Sequence, residues 1–415
     1  MKLHNLAVVD EPKPPPGEVE AKPFLWRDPD SLPARNWVYG SSLLRGSVSL
    51  LIAPGASGKT ALTAGMAVSL ATGRDMLGKQ VWGGPKRVWL WNLEDSQDEI
   101  AKLLQASFIH WHVKPSDIAD RLFVNSGLDG DSLITATDGP EGFKLNEKAL
   151  AQLRLQIETK QIDVLIVDPL VSSHQVSEND NGAIDAVAKA WARVAKETQC
   201  AILLVHHSRK LSGMENTADA SRGASALVNA ARSVLTINRM DKIEANRFGI
   251  EDDERHRFIR VYDDKNNRAP PAGKSDWYKM VSVSLGNGPN NSEGDSLPVL
   301  VPWSAPDPFA DITTNDLRRV QSVIASGNWR KDVQCEKWAG YAVAQALGLD
   351  ADAKSDRAKI KQLLGTWLKN QVLKVDTKRD ENRKERPFIV VGRVLDGQVA
   401  PPLKGGAAHG GAVTQ

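Results

Sequence analysis

The chain has 415 residues, 41% hydrophobic and 25% charged, with a formal net charge of only +2. That length exceeds one ordinary core and reads as a soluble, globular protein of two domains plus tails; with so little net charge, any nucleic-acid surface must be local. Cys200 and Cys335 lie far apart and fit no metal spacing, and no apolar run could span a bilayer or serve as a signal h-region, so a cytoplasmic protein with reduced thiols is expected.

Residues 1–22 form a Pro- and Glu-rich arm around Glu11 to Pro16, expected to be disordered. A lead-in carrying Arg35, Trp37 and Tyr39 follows, and then strand and helix patterns alternate. Strands are predicted over Val48–Ile52, Arg87–Asn92, Leu122–Val124, Val164–Val167, Ala201–Val205 and Ser233–Asn238. Helices are predicted over Ala61–Thr72, from about Asp98, over Asn146–Lys160 and over Ile184–Thr198. This alternation argues for an α/β domain over 23–300, a mostly parallel sheet with helices on both faces. The run Val164 to Val167 has no polar alternation, as a strand buried on both faces requires. Phe258–Tyr262 and Met280–Ser284 read as antiparallel edge strands, Asn287–Asp295 as a turn or loop and Pro302–Pro308 as a linker.

A second unit is expected over 311–395. Helical patterns cover Thr314–Ile324, Cys335–Leu347 and Asp356–Asn370, and two strands, Leu373–Val375 and Phe388–Val391, flank a charged stretch. Helices followed by a two-stranded wing give a winged-helix silhouette. Residues 310–395 hold 17 Lys and Arg against 11 Asp and Glu, a net +6 in a chain whose total is +2. Basic charge is thus concentrated there, as a phosphate-backbone contact would want. The tail, 396–415, is rich in Gly and Ala and expected to be flexible.

Between the first strand and helix of the α/β unit lies Ala53-Pro54-Gly55-Ala56-Ser57-Gly58-Lys59-Thr60. Strand, Gly-containing turn, Lys-Thr and helix form the setting of a Walker A loop. Successive backbone N–H groups of the loop after Pro54, those of Gly55, Ala56, Ser57 and Gly58, would wrap a phosphate, Lys59 would reach the β- and γ-phosphates and the Thr60 hydroxyl would ligate Mg²⁺. Ala53 replaces the first Gly of the strict pattern, while Gly55 and Gly58 are expected to supply the turns that tolerate no side chain. A bound nucleoside triphosphate, ATP with Mg²⁺, is the implied ligand.

Asp168 ends the buried strand and takes the Walker B position, holding Mg²⁺; a plain Asp-Pro turn would look the same in sequence. Glu94 and Asp95 end an earlier strand, where Glu94 could orient or deprotonate an attacking water and Asp95 or Ser96 could cap the next helix. His206 and His207 end another strand at the same edge, within reach of a γ-phosphate. Ser208 to Arg222, with Lys210 and Arg222, reads equally as a substrate-contact loop or a surface insertion. Arg232 precedes a strand, and an arginine there could stabilise transition-state charge on a neighbouring subunit's nucleotide, though sequence alone does not select it among the other arginines.

Taken in order, these motifs resemble the RepA-type hexameric replicative helicases, a branch of the RecA-like ATPases that also holds many phage and plasmid AAA-labelled proteins. The likeness covers about 35–285 and rests on the Walker A loop, Leu93-Glu94-Asp95, Val167-Asp168 and Leu204 to His207 with Lys210. It extends through Ala220 to Leu227, Asn229 to Arg232, Phe248 to Glu254 and Lys265-Asn266-Asn267. The resemblance implies a RecA-like core, a homohexameric ring on single-stranded DNA and ATP sites at subunit interfaces. It implies Lys59 and Thr60 on nucleotide and Mg²⁺, Glu94 as catalytic base, Asp168 in Walker B and His206 and His207 as sensor. Arg232 falls at the arginine-finger position, and Lys265 where related rings place a second basic finger. The Pro-rich arm and the C-terminal unit depart from the minimal type, and the latter is similar to those of phage replication ATPases. Three readings follow: a replicative helicase of a mobile element, with replication proteins as partners; a DNA-dependent ATPase acting as loader or recombination mediator; and a nucleotide-switched DNA-binding regulator.

Overall fold

Val48, Leu50, Leu51 and Ile52 are each exposed by 5% or less, so the strand they form is covered on both faces. Its alternate residues feed two cores. Leu51 and Ala53 join one cluster; Val48, Leu50 and Ile52 join the other, as the two-residue period of a strand dictates. The computed structural model describes residues 21–140, 142–208, 217, 225–270, 274–289, 293–380 and 383–393.

Contacts divide the chain into Met1–Asn36 and Trp37–Gln415. In the first unit, 21–36 carries one short 3₁₀ turn, Pro29–Ser31, and exposes Phe24, Leu25 and Trp26. Most of the expected Pro-rich arm, 1–20, and the tail from 394 lie outside the described residues.

The second unit opens with the antiparallel pair β1 (Trp37–Tyr39) and β2 (Leu43–Leu44). There follow β3 (Val48–Pro54), α1 (Lys59–Thr72), β4 (Val88–Asn92), α2 (Gln97–Trp111), the single turn α3 (Pro115–Ile118) and β5 (Leu122–Ser126). A hairpin of β6 (Ala136–Gly139) and β7 (Gly142–Leu145) leads to α4 (Glu147–Thr159) and β8 (Val164–Asp168). Next come α5 (Asn181–Thr198), β9 (Ala201–Ser208), α6 (Ser225–Ala230), β10 (Ser233–Arg239) and α7 (Lys242–Phe248). The strands β11 (Phe258–Asn266), β12 (Asp276–Ser284) and β13 (Ser296–Trp303) complete a nine-stranded sheet.

The sheet order is β13-β12-β11-β10-β3-β9-β8-β4-β5. From β10 to β5 all neighbours are parallel, and β11 to β13 add an antiparallel flank. Helices α1 and α2 cover one face and α4 and α5 the other, the mostly parallel α/β architecture expected. Asp180 starts α5 by accepting from the Gly182 and Ala183 amides, and the fully buried Trp191 anchors it. One strand of this nine-stranded sheet was not foreseen. β13 carries Pro298 and also Pro302, the start of the expected linker; both suit a terminal strand, where one row of amides needs no ladder partner. The sheet therefore continues past 300, the boundary expected for the domain.

Beyond it lie α8 (Thr314–Ala325), β14 (Trp329–Arg330), α9 (Ala339–Leu347), α10 (Lys354–Lys369), β15 (Leu373–Arg379) and β16 (Glu385–Val391). Thr313 and Asp316 close a capping box at the start of α8. The three strands pair in the order β14-β16-β15, and Val320, Trp338, Leu363, Trp367 and Ile389 share their core with the helices. The helix expected from Cys335 begins only at Ala339, because 332–338 turns back on itself, with the Trp338 amide donating to the Cys335 carbonyl. α10 packs against α7: Gln362 Nε2 donates to the Arg247 carbonyl at 2.6 Å, and Lys354 pairs with Glu251 at 3.2 Å. Among the described residues no helix is long and apolar enough to cross a membrane.

Candidate nucleotide site

Parallel register brings the chemistry to one edge of the sheet. β3 pairs with β9 so that Ile52 lies beside His206 and Ala53 beside His207. β4 pairs with β8 so that Asn92 lies beside Asp168, and the Leu93 amide donates to the Asp168 carbonyl at 2.8 Å. Glu94 and Asp95 therefore stand just beyond the strand ends, level with the loop that follows β3. Asp168 is not on the strand adjacent to β3, because β9 intervenes.

The loop departs from expectation in one respect. Its left-handed residues are Ala56, with φ 56°, and Gly58, with φ 91°; Gly55 is not among them. A Cβ on Gly58 would fall 2.4 Å from Met280 Cε, whereas one on Gly55 would meet nothing within 4 Å. Gly58 is thus required by its left-handed backbone, since Met280 Cε is the movable end of a flexible side chain, while Gly55 leaves open space at the loop. Pro54 ends β3, and Gly58 caps α1 with no side-chain hydrogen bond. The first amides of that helix are left for another acceptor, and Ser57 Oγ is buried with no hydrogen-bond partner among the described residues.

Lys59 is 6% exposed and Asp168 3%. Burial lowers the Lys59 pKa against the opposing pull of Asp168 and Glu94. Burial pushes Asp168 up to about 6; Lys59 and a hydrogen bond from Thr60 pull it down, and the carboxylates of Glu94 and Asp95 add to the rise. Thr63 Oγ1 stands 3.5 Å from Asp168 Oδ2. The two neighbouring acids separate clearly. Asp95 accepts from Asn92 Nδ2 at 2.8 Å and so closes its own turn, and Ser96 caps α2 through the Glu99 amide. The Glu94 side chain is half exposed, with Oε2 3.8 Å from His207 Nε2.

His207 has its pKa lowered, first by burial and then by Lys59, while Glu94 and Glu178 oppose the shift. His206 lies deeper, with burial taking its pKa down to about 4 and Nδ1 3.7 Å from Glu178. Both imidazoles are therefore neutral at pH 7, and His207 can offer or accept one proton beside Glu94.

Residues 13–213 match the family model described as an AAA domain. In that segment the chain is similar to AAA-type P-loop ATPases. The similarity supports nucleotide binding and ATP hydrolysis, with the Mg²⁺ dependence usual for such ATPases. The residues present fit those ligands: an uncapped helix start and a buried unpartnered hydroxyl for phosphate, and a buried carboxylate hydrogen-bonded to Thr60 for a divalent cation.

Arg232 and Lys265 are brought together, but far from this ATPase site. Arg232 is exposed just before β10, and its amide bonds to the Val48 carbonyl at the start of β3. The length of β3, ~20 Å at the usual rise, separates it from its own Lys59. Lys265 pairs with Val234, and its Nζ donates to the carbonyls of Val228 at 2.6 Å and Ala231 at 3.3 Å, so it closes α6 rather than projecting as a finger. Lys210 and Arg222 lie outside the described residues. Sequence reasoning missed Arg239, whose guanidinium donates to the Ala56 carbonyl from the end of β10. No motif marks it; only the parallel pairing of β10 with β3 reveals it.

Proposed function

We propose that the protein is an ATP-hydrolysing motor on single-stranded DNA, a replicative helicase of a mobile element. The observation that carries the reading is the division of the sheet into two edges. One edge gathers Lys59, Thr60, Glu94, Asp168 and His207; the opposite edge exposes Arg232, out of reach of its own site but available to a second copy. A ring of like subunits, six by the resemblance described, would present the Arg232 of each to the nucleotide of the next.

In this reading the loop amides and Lys59 would hold the phosphates, and Thr60 and Asp168 would hold Mg²⁺. When bound, the cation would offset phosphate negative charge. Glu94 takes the proton of the attacking water, and His207 reports the state of the γ-phosphate to the segment after β9. The C-terminal unit, with helices α8, α9 and α10 and the strand order β14-β16-β15, is read as a winged helix that contacts DNA or a replication partner.

The test is strand separation on a forked duplex with ATP, hydrolysis being followed in the same tubes, for the wild type and Lys59→Ala. Separation by the wild type alone supports the motor. DNA-stimulated hydrolysis without separation would replace it with a loader or recombination mediator.

A further inference from the structure

Away from the nucleotide site, an open cavity of about 660 Å³ lies where α7, the antiparallel flank and the segment after β13 meet. Its wall is aromatic. Trp277 and Trp303 meet edge-on across paired strands, with ring centroids 5.8 Å apart and planes 76° to one another, and Phe248 of α7 packs edge-on to both at 5.8 and 5.5 Å. None of the three rings is fully buried. Around them stand Arg247, Arg260 and Lys274.

Both acids at this cavity are paired, Glu244 with Arg260 of the cavity itself. Asp276 pairs with Lys79 at 2.6 Å. Glu244 accepts from the Asp241 amide at 2.9 Å, closing the capping box of α7, and stands 3.3 Å from Arg260. Arg247 and Lys274 are exposed at the rim, so the opening is positive around an indole-lined floor. Flat π surfaces beside two exposed cations match a planar base joined to a phosphate, and a volume of this size takes one nucleotide with room for its neighbours.

We propose that this cavity binds a nucleotide unit, the base against Trp277 and Trp303 and the phosphate against Arg247 and Lys274. The strand bound by the motor is the source of that unit; to this extent the inference rests on the proposed function. The same chemistry could be met by a free nucleotide, and the experiment separates the two.

Binding of a labelled twenty-residue oligothymidylate is measured by anisotropy, and binding of dTMP by calorimetry, for the wild type, Arg247→Ala/Lys274→Ala and Trp303→Ala. The double variant alters only exposed side chains and so keeps the fold if the indole change does not. Its oligonucleotide affinity should fall at least about tenfold, with the dependence of log K on log salt shallower by ~1.4, two phosphate contacts at ~0.7 each. Loss of one stacked base should cost Trp303→Ala about tenfold or more. If the wild type ignores the oligonucleotide but binds dTMP at Arg247 and Lys274, the cavity stands and the DNA motor falls. If both variants bind both probes as the wild type does, the cavity is not a nucleotide site, whatever the motor does.

Discussion

At Asp168, burial opposes the proposed metal role. Its pKa, raised to about 6, means that the folded protein binds the proton more tightly than the unfolded chain. The stability linked to that proton is therefore complete below the ordinary carboxylate pKa and lost as pH rises through about 6. At neutral pH the cost is ~3 kcal/mol before any cation is bound. Asp168→Asn should accordingly abolish Mg²⁺-dependent turnover, yet gain in melting temperature relative to the wild type between pH 5 and pH 7. Calorimetric melts at the two pH values check the sign. Glu94 and Asp95 offer a second contrast at this scale. Glu94→Gln should lower kcat by ~10²-fold or more with nucleotide affinity retained, since only Glu94 keeps its carboxylate clear of the local turn. Asp95→Asn should instead shift stability more than kcat.

Among the elements, two glycines decide how segments approach. Gly58, at φ 91°, should not accept a side chain: Gly58→Ala is expected to cost ~1–3 kcal/mol and to impair nucleotide binding, while Gly55→Ala leaves the melting temperature unchanged. Denaturant titration of both variants tests this. Gly249 ends α7 at φ 73°, and a Cβ there would lie 2.7 Å from Ser355 Cα on α10. Gly249→Ala should therefore loosen the C-terminal unit from the core, seen as faster proteolysis between β13 and α8. The Lys354–Glu251 pair nearby is partly exposed and adds little by itself.

For the whole molecule, the position of Arg232 predicts complementation. In the proposed ring, Lys59→Ala and Arg232→Ala should each be inactive alone, the first for lack of the proposed phosphate ligand and the second for lack of the proposed finger on a neighbour. Mixed in equal amounts and allowed to exchange, they should recover roughly a quarter of wild-type hydrolysis, because that fraction of interfaces pairs an intact Lys59 with an intact Arg232. No recovery would show that Arg232 serves its own subunit or none.

What could be read from the sequence was whatever depends on neighbours along the chain. The Walker A loop, the fully apolar Val164 to Val167 and the acids that end strands are local patterns, and their helices and strands lie where the periodicity put them. The start of α8 at Thr314 was equally legible, whereas α5 begins at Asn181, three residues before the expected Ile184, where Asp180 caps it. Strand order was not. Nothing in the sequence inserts β9 between β3 and β8, sets Arg239 on the Ala56 carbonyl or spends Lys265 on the end of α6. Nor did it show that β13 closes the antiparallel flank or that Trp277 and Trp303 meet across it. Those facts depend on which distant segments share a hydrogen-bond ladder, a choice made by burying both faces of the sheet at once. The sequence by itself determined the local chemistry of this protein; only the tertiary structure decided which groups face one another and which edge each occupies.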